Sequence, residues 1–241
     1  MAILVFQHDD HNTAGRLGLT LRDHGFDLDV RRLHRGDPLP PDLDEVEGVI
    51  SLGGAPNLDD PRSDHPWMDA ELAFLKAAHD RALPVIGVCL GHQLIAAALG
   101  GEVAKAQAPE RGFGRVSLTP AAHTDEAFAG IAWDSPQFQH HSREVVKLPE
   151  GAVLMASSKA CKVQAFKAGV RTYGFQYHFE VDRETIAKFV RENKRDFYDA
   201  GLTFDDVRAQ ADRDYPMFAR LADRLCVNLA TYIFVTQVLP R

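Results

Sequence analysis

The chain has 241 residues, of which 45% are hydrophobic and 25% are charged, and its formal net charge is −7. This length is enough for one sizeable α/β core with a small appendage. Because the acidic balance comes without a dense cluster of lysine and arginine, nucleic acid is not expected as a main partner.

The sequence shows no targeting or membrane segment. The first apolar run lacks the basic region and the cleavage site of a signal peptide, and no stretch approaches the roughly 18 apolar residues of a membrane span. The three cysteines are widely separated, so they predict no disulfide framework. These features together predict a cytoplasmic protein without membrane contact.

The first hundred residues alternate strand-like and helix-like segments. Short apolar runs predict strands at 2–7, 26–30, 48–52 and 84–88, and apolar residues at helical spacing predict helices at 13–24, 66–81 and 91–99. Residues 35–41 carry three prolines and predict a loop. This alternation is typical of an α/β fold with a mostly parallel central sheet and helices on both faces.

The second half begins with shorter strand-like runs that predict a small antiparallel region. The predicted strands are 114–118, 153–155, 162–166 and 171–177. The chain then turns helical, and helices are predicted over 183–197, with Asp182 as the N-cap, and over 218–238.

The last predicted helix carries an apolar stripe at helical spacing. Its members are Leu221, Leu225, Leu229, Ile233 and Phe234. We expect residues 1–197 to form the main domain and 198–241 a helical extension. The stripe either packs on the main domain or forms an interface with another chain, for which a homodimer is one possibility.

A cysteine stands where the fourth predicted strand meets the next helix. Cys89 lies between Gly87 and Gly91, whose missing side chains suit a sharp turn. Such a turn exposes a nucleophile at the carboxyl end of a sheet, and the helix N-terminus behind it favours the thiolate. The N–H of Leu90, next after the nucleophile, is then a donor for an oxyanion.

A second motif supplies a base and a carboxylate. His178 and Glu180 are two residues apart, so on an extended segment both side chains point the same way. In such a pair the imidazole moves the proton and the carboxylate orients the imidazole. We therefore expect Cys89, His178 and Glu180 to form a catalytic triad of a hydrolase.

The sequence resembles the class I glutamine amidotransferases, and most of all the amidotransferase domain of GMP synthase. The motif G-x-C-x-G-x-Q at 87–93 and the later H-x-E at 178–180 carry this resemblance, which extends over roughly residues 1–180. The glycine-rich segment 51–56 looks like the oxyanion loop of that family. The resemblance implies a flavodoxin-like fold and hydrolysis of the γ-glutamyl amide of glutamine through a thioester on Cys89.

The resemblance also implies roles for residues around the triad. The N–H of Gly54 would be the second oxyanion donor, beside that of Leu90. Gly53, Gln93 and His141 would contact the substrate. Two features depart from the family pattern. Phe179 replaces a proline between the histidine and the glutamate, and 142–143 read Ser-Arg where relatives have Gly-Asp.

The departure after His141 leaves the substrate open. A glutaminase with a separate synthetase partner and a stand-alone hydrolase of other γ-glutamyl amides or peptides would use the same triad. The chain has no phosphate-binding G-x-x-x-x-G-K-[ST] motif for a synthetase of its own. A non-catalytic binding module is a third alternative, but all three triad residues are present.

No metal or cofactor is predicted. His8, Asp9, Asp10 and His11 resemble metal ligands in composition, yet no further ligand motif completes a coordination sphere. We interpret this segment as a polar loop at the edge of the active site.

Overall fold

The computed structural model describes residues 1–234. Within this range the strands are β1 (Ala2–Gln7), β2 (Leu28–Arg32), β3 (Val46–Ser51), β4 (Val85–Val88), β5 (Glu102–Leu118), β6 (Asp134–Lys147), β7 (Val153–Ser157), β8 (Ala165–Ala168) and β9 (Thr172–Phe175). The α-helices are α1 (Gly15–Asp23), α2 (Met68–Asp80), α3 (Leu90–Ala98), α4 (Arg183–Glu192), α5 (Lys194–Asp199) and α6 (Phe204–Asn228), and a π-helical turn, Leu229–Ile233, follows α6.

Across residues 1–234 the strands form one sheet with the order β2-β1-β3-β4-β9-β8-β7-β5-β6. The strands from β2 to β9 in this order pair in parallel, and the pairings from β9 to β6 are antiparallel. The predicted α/β fold, with a parallel half and a smaller antiparallel region, is therefore confirmed.

Helices cover both faces of the sheet. On one face α1, α4 and α6 share a hydrophobic cluster with inward side chains of β1, β3 and β9. On the other face α2 and α3 enclose a second cluster with residues of β1, β3 and β4. The central strands are thus buried on both sides, which explains their nearly continuous apolar sequences.

The parallel half brings several loops to one edge. Because the carboxyl ends of β1, β3, β4 and β9 lie side by side, the residues that follow them meet in space. These are His8, the segment 52–54, Cys89 and the segment 176–180. Most of the predicted site residues therefore converge at this edge.

Strand β6 is a strand that the hydrophobic pattern missed. Its buried positions include Gln137, Gln139 and His141, so it lacks the regular apolar alternation of a half-buried strand. Hydrogen bonds between side chains replace apolar contacts here, for example from Gln139 Nε2 to Gln164 Oε1 at 3.1 Å.

The helix predicted over 183–197 is two helices. The chain leaves helical geometry at Asn193 (φ −109°, ψ 35°), whose side-chain amide donates to the carbonyl of Phe189 at 2.9 Å. The predicted N-cap is confirmed, because the carboxylate of Asp182 accepts from the N–H of Thr185 at 2.7 Å.

The last α-helix begins earlier than predicted, at Phe204 and not at residue 218. Thr203 and Asp206 form a capping box at its start, and Pro216 lies inside it. A proline and a polar first half hide the helical pattern there. The predicted residues 235–238 lie outside the described residues.

The stripe on this helix is turned inward. Leu225, Leu229, Ile233 and Phe234 are buried in the cluster that also holds residues of α1 and β1. These side chains are used within the chain, which is the first of the two interpretations above. The division at residue 197 stays a prediction.

No helix within residues 1–234 has the length and apolar character needed to cross a membrane.

Candidate active site

Cys89 makes the turn between β4 and α3 alone. Its backbone has φ 52° and ψ −102°, a region that residues with a side chain rarely adopt, and its N–H donates to the carbonyl of Phe175 at 2.8 Å. A Cβ on Gly91 would lie 1.9 Å from the carbonyl oxygen of Ser51. Glycine is therefore required where α3 meets the sheet, and the sharp turn has the geometry of a nucleophile elbow.

The strain at this turn predicts an order of stabilities. Cys89→Gly is expected to be more stable than Cys89→Ala by about 1–2 kcal/mol, because glycine adopts a positive φ without steric cost. The free energy of unfolding, measured in urea, checks this. Ala77→Gly, at an exposed position of α2, is the control and is expected to cost about 1 kcal/mol instead. Equal stabilities of the two Cys89 variants would contradict the strain.

His178 and Glu180 form a buried pair in the segment after β9. Their side chains are 1% and 2% exposed, and Nδ1 of His178 lies 2.7 Å from Oε1 of Glu180. Burial lowers the pKa of His178, but Glu180 and the nearby thiol of Cys89 outweigh burial and hold this pKa well above 6.5. No described residue forms a hydrogen bond with Nε2 of His178. That nitrogen is thus available for proton transfer.

The glycine loop after β3 closes tightly on these residues. A Cβ on Gly53 would lie 2.9 Å from Cε1 of His178, and a Cβ on Gly54 would lie 3.1 Å from Cδ2 of Leu90. Gly54, Leu90 and Cys89 line a common cavity of about 140 Å³. The structure therefore brings both proposed oxyanion donors to the nucleophile.

Gln93 lies at the same cavity, on the first turn of α3. Its Nε2 donates to the carbonyl of Arg143 and to Oε1 of Gln176, both at 3.1 Å. Among the side-chain hydrogen bonds of residues 1–234, none reaches Oε1 of Gln93. This oxygen can still accept a hydrogen bond from a ligand.

His141 also lines the cavity, but both of its ring nitrogens are occupied. Nδ1 lies 3.0 Å from the carbonyl of Arg143, and Nε2 lies 3.1 Å from Oε2 of Glu110. Glu110 in turn accepts from Gln164 at 2.8 Å. The ring is therefore part of a buried polar network in the cavity wall and has no free nitrogen for a ligand.

The cavity has polar walls that sequence reasoning missed. Arg111 comes from β5, and Asn193 and Asp196 come from the junction of α4 and α5. Arg111 is 7% exposed at its side chain and lies 3.5 Å from the carboxylate of Asp196. No motif marks these residues, because β5, β6 and α5 meet only in the folded chain.

Arg143 has a different role from the aspartate at the matching place in relatives. Its guanidinium makes two hydrogen bonds to Asp59, at 3.0 and 2.8 Å. This contact lowers the pKa of Asp59 and ties β6 to the loop beyond Pro56. The departure from the family pattern thus builds one side of the cavity mouth.

Two buried histidines next to the elbow are held neutral. His92 in α3 and His140 in β6 both have a pKa lowered from 6.5 to about 3, mainly by burial. The ring of His140 stacks on Phe197 at a centroid distance of 5.4 Å, and its carbonyl lies 3.7 Å from Sγ of Cys89. His140 therefore contributes packing and a backbone acceptor.

These shifts predict a loss of stability in acid. Between about pH 6 and pH 4 the unfolded chain protonates His92 and His140 while the folded chain does not, so the unfolded state binds more protons. The free energy of unfolding is expected to fall by up to about 1.4 kcal/mol per pH unit for each histidine. Urea unfolding at several pH values checks the slope. His140→Phe keeps the stacking and should reduce the slope by one histidine's share; an unchanged slope would contradict it.

One group of potential metal ligands occurs among residues 1–234. Glu110, His141 and Cys161 place their ligating atoms within 4.8 Å of one another. Glu110 already binds His141, and burial raises the pKa of Cys161, which keeps its thiol protonated. Hydrogen bonding within the chain accounts for this group, and the absence of a metal stays a prediction.

The chain belongs to the class I glutamine amidotransferase family. The family model described as "Glutamine amidotransferase class-I" matches residues 17–195. The resemblance predicted from the elbow and the H-x-E motif is confirmed, and so is the assignment to a class of enzymes.

Relatives named as glutamine-hydrolysing subunits of GMP synthase support the more particular resemblance. The protein of Methanothermobacter thermautotrophicus is 32% identical over 208 residues, which cover 83% of this chain and 97% of the relative. That of Archaeoglobus fulgidus is 36% identical over 163 residues, covering 67% and 80%. A glutamine amidotransferase-like protein of Salmonella typhimurium, YfeJ, is 30% identical over 203 residues, covering 83% and 84%.

Solved structures confirm the fold. A glutamine amidotransferase from Methylobacillus flagellatus superposes with a TM-score of 0.83 at 26% identity, covering 94% of this chain and 93% of that one. A protein from Thermoplasma acidophilum that is described as a GMP synthase subunit superposes with a TM-score of 0.58 at 27% identity, covering 80% and 98%.

Proposed function

We propose that the chain hydrolyses the γ-glutamyl amide of glutamine through a thioester on Cys89 and releases glutamate and ammonia. The observation that carries the proposal is the meeting of Cys89 with Gly54 and Leu90 at one cavity, beside the His178–Glu180 pair. Family membership supports it, because amide hydrolysis needs a nucleophile, a base and oxyanion donors together.

In the first half-reaction Sγ of Cys89, having lost its proton to His178, attacks the amide carbon. The N–H groups of Gly54 and Leu90 stabilise the negative oxygen of the tetrahedral intermediate. The C–N bond then breaks, and His178 gives the proton to the departing nitrogen, which leaves as ammonia. Glu180 holds the ring in the required orientation and stabilises its charge.

In the second half-reaction water attacks the thioester. His178 accepts a proton from this water, the same donors stabilise the second oxyanion, and the C–S bond breaks to release glutamate and regenerate Cys89. For substrate binding we propose that the glycines 53–54 contact the γ-carbonyl region and that Oε1 of Gln93 accepts from the α-ammonium group. His141 would support the wall through Glu110 and not bind directly.

A second candidate is a stand-alone hydrolase of other γ-glutamyl amides or peptides. The polar walls from Arg111, Asn193 and Asp196 favour it, because they extend the cavity beyond the elbow. The Methylobacillus structure matches nearly the whole chain, and the GMP synthase subunit matches less of it and less well. A substrate larger than glutamine would use this extra wall.

Partners follow from the choice between these functions. The relatives are named as one subunit of an enzyme, so we propose a separate synthetase partner for the glutaminase and none for the stand-alone hydrolase. A homodimer and the division into residues 1–197 and 198–241 are likewise proposals. The free catalytic thiol suits a reducing compartment, and we propose the cytoplasm.

Glutamate release by the purified chain distinguishes the two functions. Glutamine and a panel of γ-glutamyl amides and peptides are compared by kcat/KM. Slow hydrolysis confined to glutamine would support the glutaminase that works with a synthetase, and fast turnover of a larger amide would support the stand-alone hydrolase. No release from any of them, with intact folded protein, would contradict both.

A further inference from the structure

A histidine buried beneath the glycine loop has no part in the chemistry described so far. His8 follows β1, and its side chain and that of Glu71 in α2 are both 0% exposed. Nε2 of His8 lies 2.9 Å from Oε2 of Glu71, and the ring stacks on Trp67 at a centroid distance of 4.8 Å. The ring therefore has one fixed orientation.

The other ring nitrogen is directed at the loop. Nδ1 of His8 lies 3.0 Å from the carbonyl oxygen of Leu52 and 3.3 Å from that of Gly53. Carbonyl oxygens only accept hydrogen bonds, so Nδ1 carries a proton. The carboxylate of Glu71 accepts from Nε2 and also from the hydroxyl of Ser51, at 2.6 Å. An imidazolium satisfies all of these contacts at once.

The charge state agrees with this geometry. Burial lowers the pKa of His8, but the charge and the hydrogen bond of Glu71 outweigh it, and this pKa is raised above 6.5. His8 and Glu71 thus form a buried ion pair. A buried pair of this kind is costly to break, because the remaining charge is left without a partner.

The position of the two carbonyls fixes the direction of a neighbouring N–H. In a trans peptide the carbonyl of one residue and the N–H of the next point in opposite directions. Because the carbonyl of Gly53 is directed at His8, the N–H of Gly54 is directed away from His8. Gly54 lines the cavity on that side, together with Cys89.

We propose that His8, anchored by Glu71, is a positioning residue that fixes the carbonyls of Leu52 and Gly53 and thereby turns the N–H of Gly54 towards Cys89. The inference rests on the proposed amide hydrolysis. Its consequence is that the oxyanion hole is formed in the chain by itself, without a partner to rearrange the loop.

Two substitutions of His8 separate its two hydrogen bonds. The amide nitrogen of asparagine can occupy the place of Nδ1, and that of glutamine the place of Nε2. His8→Asn therefore keeps a donor for the loop carbonyls, whereas His8→Gln keeps only the contact with Glu71. We expect kcat to fall roughly 10²- to 10³-fold in His8→Gln, the cost of one oxyanion donor, and much less in His8→Asn.

A reaction without an oxyanion is the second readout. Alkylation of Cys89 by iodoacetamide displaces iodide at carbon and forms no negative oxygen, so its rate should be unchanged in both variants. KM should also change little. His34→Gln is the matched control, because His34 likewise contacts a backbone carbonyl, that of Gln7, and a carboxylate, that of Asp10, but not the loop. It should keep the wild-type kcat.

Several outcomes would overturn the inference while the proposed function stands. These are equal kcat in wild type and His8→Gln, equal losses in both His8 variants, or alkylation that falls in parallel with kcat. If a His8 variant fails to fold, Glu71→Gln and Glu71→Leu give the same comparison: the first keeps a partner for His8, and the second should lose about 10²-fold in kcat. Folded Glu71→Leu with full activity would overturn the inference. An inactive wild type would instead contradict the proposed function.

Discussion

Cys89→Ala is expected to abolish glutamate release, with kcat lowered roughly 10⁶-fold, as for the loss of a catalytic nucleophile in other triads. Without Sγ no thioester forms, and the oxyanion donors alone give little rate. The side chain is small and 6% exposed, so its loss should leave the fold intact. Coupled detection of glutamate and a thermal unfolding curve measure the two effects on the same preparation.

Cys226→Ala is the matched control. Cys226 is a fully buried thiol of α6 whose pKa is raised by burial, and it lies in the core away from the cavity. Its loss should reduce stability through a small packing defect while kcat stays at the wild-type value. A glutamine-directed electrophile should label Cys89 and leave Cys226 and Cys161 unmodified. Residual turnover in Cys89→Ala well above background would show that another group is the nucleophile.

The parts of this site that the sequence predicted are those with a local signal. The elbow needs glycine at 87 and 91 because a Cβ at either position would strike backbone atoms, so the motif itself reports the geometry. His178 and Glu180 are two residues apart and meet directly. The parallel strands are buried on both faces, and continuous apolar runs reveal them.

The parts that were missed depend on contacts between distant polar residues. His8 and Glu71 are 63 positions apart and form a buried pair, yet in the sequence His8 looked like part of an exposed polar loop. Arg111 and Asp196 reach the same cavity from β5 and α5. Hydrophobic periodicity contains no information on such pairs, since it reports only which face of an element is apolar.

Strand β6 shows the same limit at the level of secondary structure. Gln139 and His141 occupy buried positions that apolar residues usually fill, and they are stabilised by a network that includes Glu110 and Gln164. That network supports the wall of the cavity. The missed strand is therefore missed for a functional reason: polar side chains at buried positions hold the site in shape.

His178→Ala and Glu180→Gln are expected to differ in how much activity they lose. Removing His178 removes the group that takes the thiol proton and returns it to ammonia, so kcat should fall about as far as in Cys89→Ala, roughly 10⁶-fold. Glu180→Gln keeps the volume and one hydrogen bond to Nδ1 but removes the charge, and a loss of about 10⁴-fold is expected. Both are measured as kcat for glutamate release under saturating substrate.

The pH profile separates the charge of Glu180 from a merely structural role. Glu180 and Cys89 hold the pKa of His178 well above 6.5 against the effect of burial. With glutamine at 180 the effect of burial is opposed less, so the pKa of His178 must fall and the imidazolium must be lost at lower pH. The alkaline limb of kcat/KM should shift to lower pH in Glu180→Gln, and the imidazole proton signals of His178 should titrate with it. An unshifted limb, or losses as large as in His178→Ala with a lowered unfolding temperature, would mean that Glu180 supports the fold and not the charge on His178.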